Sequence, residues 1–135
     1  GITFLVFLAG MSLPCLTTCL PVYLTGEIMA TAPKSEILHM ADLVAYNDGS
    51  VVSRQITKAD AGNVTLFAFD KEQELSEHTA PYDALAHVLD GETEIKISGK
   101  PFHLKAGDAV IMPAGEPHAV KALTRFKMLL TMIRK

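Results

Sequence analysis

The chain has 135 residues, 49% apolar and 20% charged, with a net charge of −3. That length allows one domain with a real core and is too short for two ordinary ones. The apolar share argues against a disordered chain, and the lack of a strong positive field argues against a nucleic-acid partner held through its phosphates. The basic residues Arg125, Lys127, Arg134 and Lys135 fall at alternate strand positions or at the very end, the pattern of a solvated face.

Residues 1–28 form an apolar extension, and residues 29–135 form the main domain. Residues 1–25 carry no charged side chain, a length that suffices to cross a bilayer. Three readings compete for this stretch. A secretory signal lacks its positive start, because no Lys or Arg precedes Lys34. A membrane anchor is weakened by Pro14 and Pro21 and by missing flanking cations, so a membrane partner applies only if residues 2–25 are a genuine anchor. The third reading starts translation at Met29, since codons for Gly26-Glu27 can hold a ribosome-binding sequence just upstream; a cytoplasmic location then follows. Cys15 and Cys19 both lie in this stretch, so the main domain has neither a disulfide framework nor a thiolate metal site.

The one helix expected lies in "SEILHMADLVAYNDG", where Ile37, Met40, Ala41 and Val44 recur at helical spacing before Asn47-Asp48-Gly49. Short apolar or alternating runs follow: "SVVSRQIT", "NVTLFAFD", "DALAHVLD", "ETEIKIS", "PFHLK", "DAVIMP", "HAVKAL" and "RFKMLLTMI". Turns are marked by Asp90-Gly91, Ser98-Gly99-Lys100, Ala106-Gly107-Asp108 and Pro113-Ala114-Gly115. Many short strands with almost no helix between them predict an all-β sandwich or barrel. The last run is apolar on both faces: Phe126, Met128, Leu130 and Met132 fill one, Leu129 and Ile133 the other. Such a strand needs two covers, and a homodimer interface is one candidate.

Two stretches resemble a known family. "EHTAPYDALAHVLDG" and, one hairpin later, "GDAVIMPAGEPHAV" are similar to the two motifs of the cupins, small barrels of the RmlC-like jelly-roll group. The second motif holds its register: Gly107, Pro113, Gly115 and His118 stand in place, with Ala122 where the closing Asn belongs. The first is eroded. Counting back from Gly91, its glutamate position falls on Ala84 and its histidine pair on His78 and Ala80. The resemblance covers roughly residues 50–133 and implies a double-stranded β-helix, or jelly-roll barrel, preceded by one short helix.

In that family two histidines and a glutamate of the first motif and one histidine of the second converge on a divalent metal, so the resemblance implies a site at His78 and His118. Two imidazoles are few, since metal sites of the zinc and non-haem iron type normally use at least three protein ligands. A metal held by this pair alone, whether zinc, iron, nickel or manganese, is expected to bind weakly. His87 is placed on the outer face by strand parity, opposite in sense to Ala84, Ala86 and Val88, unless a bulge intervenes. His39 and His103 lie outside both motifs.

Alanine at positions 80 and 84, beside Met112 and Val120, exchanges polar groups for apolar space. A mainly apolar cavity with two convergent polar groups is the usual form of a small-molecule site, and Tyr82 is a candidate for its rim. Three functions follow as expectations: a binding module for a small, partly apolar molecule; a metal-dependent oxygenase or isomerase; and, least favoured for want of a DNA-reading segment, a sensor.

Overall fold

The computed structural model describes residues 31–134. The apolar extension, Cys15, Cys19 and the proposed start at Met29 lie outside the described residues. Among the described residues nine strands follow one another: β1 Val51–Ala59, β2 Gly62–Phe69, β3 Glu74–His78, β4 Asp83–Asp90, β5 Glu92–Ile97, β6 Lys100–Lys105, β7 Ala109–Met112, β8 His118–Ala122 and β9 Phe126–Ile133. They form a five-stranded sheet, ordered β1-β2-β9-β4-β7, and a four-stranded sheet, ordered β3-β8-β5-β6. The all-β jelly-roll expectation is met.

Period-2 alternation decides which side chains enter the core. On β4, Ala84, Ala86 and Val88 are buried while Leu85, His87 and Leu89 take the other face. On the facing sheet Ile95, Ile97, Val120 and Ala122 complete the interior. Phe69 and Phe126 stack across β2 and β9 with ring centroids 4.6 Å apart.

Two turns account for two of the sequence signals. Ser98 and Gly99 join β5 to β6 with φ of 51° and 82°, the left-handed pair that a two-residue hairpin loop needs to match strand twist. Gly91 joins β4 to β5 at φ 76°, and a Cβ there would lie 1.9 Å from the Arg125 carbonyl oxygen. Only glycine fits both the conformation and the approach.

The expected helix is absent; a single 3-10 turn, Met40–Asp42, stands in its place. Ile37 is 87% exposed while Val44 is buried, so the apolar stripe is covered only in part, and a short helix without continuous tertiary cover is marginal. The chain instead runs across the outer face of the five-stranded sheet. The Ala41 carbonyl accepts from Lys127 Nζ, the Leu43 carbonyl accepts from Arg54 Nη1 at 3.3 Å, and Val44 is buried. These bonds tie the strap to Lys127 of β9 and Arg54 of β1. Further along the same sheet Leu85, Ile111 and Ile133 stay exposed.

At the strap's end of the barrel, charged groups satisfy one another. Arg125 donates from Nε to Asp70 Oδ1 at 2.8 Å and from Nη2 to Asp48, and the Gly49 N–H donates to Asp70 Oδ2 at 2.7 Å. The Gly49 N–H first, and then Arg125, hold the Asp70 carboxyl down at about 2. Tyr46 donates its hydroxyl to Asp90, and its ring lies under Lys127 Nζ, 4.9 Å from the centroid. Burial and the Asp90 carboxylate together raise the Tyr46 hydroxyl well above the usual phenol range.

Candidate functional site

The other end of the barrel is built around one irregularity. In the β3–β8 ladder Leu75 pairs with Val120 and His78 with His118. Between these pairs β3 advances three residues (75 to 78) and β8 only two (120 to 118), so β3 carries a bulge. A regular ladder would set Glu77 opposite His118. The bulge sets His78 there instead, on the side of the sheet to which Leu75 and Val120 belong.

The two rings meet edge to face, with centroids 4.4 Å apart and planes at 68°. Their surroundings differ. His118 is 5% exposed, whereas His78 is an exposed residue at the mouth. Burial lowers the His118 pKa; the Glu116 carbonyl opposes that shift, and the neighbouring His78 adds to it.

Each ring uses Nδ1 on a backbone carbonyl two residues earlier: His78 on Ser76 at 2.8 Å and His118 on Glu116 at 3.2 Å. A carbonyl oxygen only accepts, so in the neutral ring Nδ1 carries the proton and Nε2 the lone pair. Among the described residues no protein group hydrogen-bonds either Nε2.

The second motif's loop is tied to the first motif's strand. The Gly115 N–H donates to the Ala80 carbonyl at 2.9 Å, and the Ala114 N–H donates to Asp83 Oδ1 at 2.8 Å. Ser98 anchors the loop from the other sheet, donating its hydroxyl to Glu116 Oε1 at 2.9 Å and its N–H to the Pro117 carbonyl at 2.8 Å.

The remaining candidate residues are placed as follows. Ala84 stands between its cross-strand partners Met112 and Met132, and with Met112 and Val120 it belongs to the buried apolar cluster. Ala80 is half-buried beside the loop. Tyr82 is half-buried, accepts from Arg134 Nη2 at 3.0 Å and lies under that guanidinium, so it is engaged by the residue that follows β9. His87 lies on the outer face between Ala109 and Leu129. His103 pairs with Glu92 at 2.8 Å on the surface, and His39 is exposed before the 3-10 turn.

No group of three or more His, Cys, Asp or Glu side chains able to hold a metal occurs among the described residues. The donor set therefore fits a metal in part: two imidazoles with Nδ1 on carbonyls, the arrangement that orients histidine ligands, and no third protein ligand beside them. Sequence reasoning missed Asp83, Ser76 and Glu116. The last two act through backbone carbonyls, which leave no mark on residue type, and Asp83 acts through a contact with residue 114 that no local pattern announces. A shallow groove of about 80 Å³ on the outside of the four-stranded sheet, lined by Glu74, Glu94, Lys96 and Lys121, is a ladder of opposite charges facing water.

The fold is one that known proteins share. Residues 65–133 match the cupin domain family. A protein of Aquifex aeolicus is 30% identical over 103 residues, covering 75% of this chain and 84% of its own. Among solved structures, a conserved protein of unknown function from Streptococcus pyogenes superposes with a TM-score of 0.74 at 30% identity, covering 79% of this chain and 94% of that one. A cupin superfamily protein from Desulfitobacterium hafniense gives 0.73 at 27% identity, covering 79% and 98%. A cupin 2 conserved barrel domain protein from Leptotrichia buccalis gives 0.70 at 39%, covering 72% of this chain and 47% of that one. Matched over half its length by the family pattern and over most of it by these relatives, the chain belongs to the cupin domain family.

Proposed function

We propose that this small cupin barrel binds a small, partly apolar molecule at the His78–His118 mouth, without a tightly held metal of its own. One observation carries the reading: two imidazoles stand in contact at the end of an apolar interior, each leaving Nε2 without a partner among the described residues. An apolar wall supplies affinity and a few convergent polar atoms supply orientation, which is how small-molecule sites commonly work. The test is titration of chelator-treated protein with small aromatic and aliphatic probes, followed by NMR. Shifts centred on the two imidazoles are expected; shifts confined to other surfaces would overturn the reading.

A second reading has a specific observation behind it. Histidines that ligate metals commonly donate their other ring nitrogen to a carbonyl or carboxylate, as both do here. A divalent zinc, iron, nickel or manganese ion held by His78 and His118 would act as a Lewis acid in an oxygenase- or isomerase-type reaction. Metal analysis separates the two readings. Stoichiometric metal that is lost in both H78A and H118A favours the enzyme; metal-free protein that still binds probes favours the binding module.

We also propose that the protein forms a homodimer through the outer face of β4, β7 and β9. Leu85, Ile111 and Ile133 are 39%, 61% and 60% exposed, and Leu85 and Ile111 are direct cross-strand partners. Sedimentation at micromolar concentration is expected to give a dimer that I111D converts to monomer. A wild-type monomer at that concentration would end this proposal.

A further inference from the structure

The hydrogen bonds behind the two imidazoles say what kind of ligand the mouth can hold. With each Nδ1 proton committed to a carbonyl, at 2.8 Å for His78 and 3.2 Å for His118, the neutral pair presents two acceptors and no donor. Reversing either tautomer would turn an Nδ1 lone pair towards a carbonyl oxygen, placing two acceptors against each other. The buried neighbourhood adds no correcting group: Thr93 and His118 are the buried polar residues among those described, and the Thr93 hydroxyl is already spent on the Lys121 carbonyl at 2.8 Å. Inward from the pair come Leu75, Val120 and Ala122.

Ligand polarity follows from this count. A carboxylate is itself acceptor-only, so set against two acceptors it would be desolvated without a partner. A hydroxyl can donate. Two hydroxyls on adjacent carbons can donate one hydrogen bond to each ring, and rings whose centroids are 4.4 Å apart are close enough to serve one such pair.

We infer that the His78–His118 pair selects molecules bearing two adjacent hydroxyl groups on an apolar body, the catechol and vicinal-diol class, and discriminates against free carboxylates of the same size. The inference rests on the binding reading given above and adds the polarity of the ligand. A single hydroxyl satisfies one ring and leaves the other unpaired, so monophenols rank below diphenols.

The experiment uses the full chain, treated with chelator and kept reduced, titrated with catechol, phenol, 1,2-dimethoxybenzene and benzoate by calorimetry. At neutral pH catechol is expected to bind at least about tenfold more tightly than 1,2-dimethoxybenzene or benzoate, a step worth about 1.4 kcal/mol, with phenol between. His78→Ala, at an exposed position that leaves the core intact, is expected to remove most of that preference. Equal or tighter binding of benzoate overturns the inference while leaving the binding reading in place. Binding of catechol that H78A does not change also overturns it. If none of the four probes binds, the inference falls together with the binding reading.

Discussion

At one end of the barrel Arg125 is shared between Asp48 and Asp70, the Asp70 carboxylate also receives the Gly49 N–H, and Tyr46 closes on Asp90. At the other end two imidazoles lean on each other, each anchored by one nitrogen and leaving the second without a partner among the described residues. Both ends hold polar groups over the same apolar interior. The difference is what remains after internal bonding: Arg125, Asp48, Asp70, Tyr46 and Asp90 match donors to acceptors, whereas the two imidazoles keep an excess of acceptors. Polar atoms left without a protein partner beside an apolar wall are retained mainly where something else completes them.

Glycine substitutions test the contrast most harshly. Gly91→Ala at the clasped end should cost about 3 kcal/mol or more, because both its φ and the Arg125 carbonyl oppose a side chain. Gly115→Ala at the mouth has a similar φ but open space around it, and should cost about 1 kcal/mol. Urea denaturation measures both, and similar losses would mean that the two turns are equally confined.

Acid comes next. Asp70 is held below its unfolded value, 3.8, down to about 2, so its contribution is present above pH 3.8 and is lost as the pH falls towards 2. D70N should be less stable at neutral pH and show a flatter melting profile across that window. A D70N profile as steep as the wild type would assign the acid sensitivity to other carboxylates.

The mouth should respond at milder pH. Burial lowers the His118 pKa, so its neutral form adds stability that is present above the ordinary imidazole value of 6.5 and is lost as the pH falls below it towards the folded value. H118L should flatten melting temperature against pH in that range; an unchanged slope would place the titration elsewhere. The smallest expected change in stability, within about 0.5 kcal/mol, is that of His78→Ala, an exposed position whose loss should appear in ligand binding alone.

Much of the fold was legible beforehand because its rules are local. Alternation in "DALAHVLD" decides that Ala84, Ala86 and Val88 go inward, and Gly91 and Gly99 mark turns that need a left-handed backbone. The helix expected around Met40 failed for the complementary reason: its spacing was adequate, but Lys127 and Arg54, far away in sequence, claimed the carbonyls of Ala41 and Leu43. Helical periodicity describes a face, and only packing supplies something for that face to meet.

The site divides along the same line. Residue types, strand alternation and the glycine and proline register of the second motif could be read from the chain alone, since these depend on side chains and on steps of one or two residues. It takes the folded sheets to set a bulge in β3 that turns His78, and not Glu77, towards His118, and to bring up the carbonyls of Ser76 and Glu116 that choose which nitrogen faces outward. Register between distant strands and bonds to backbone oxygens are properties of the assembled sheet, and every residue type carries the same carbonyl.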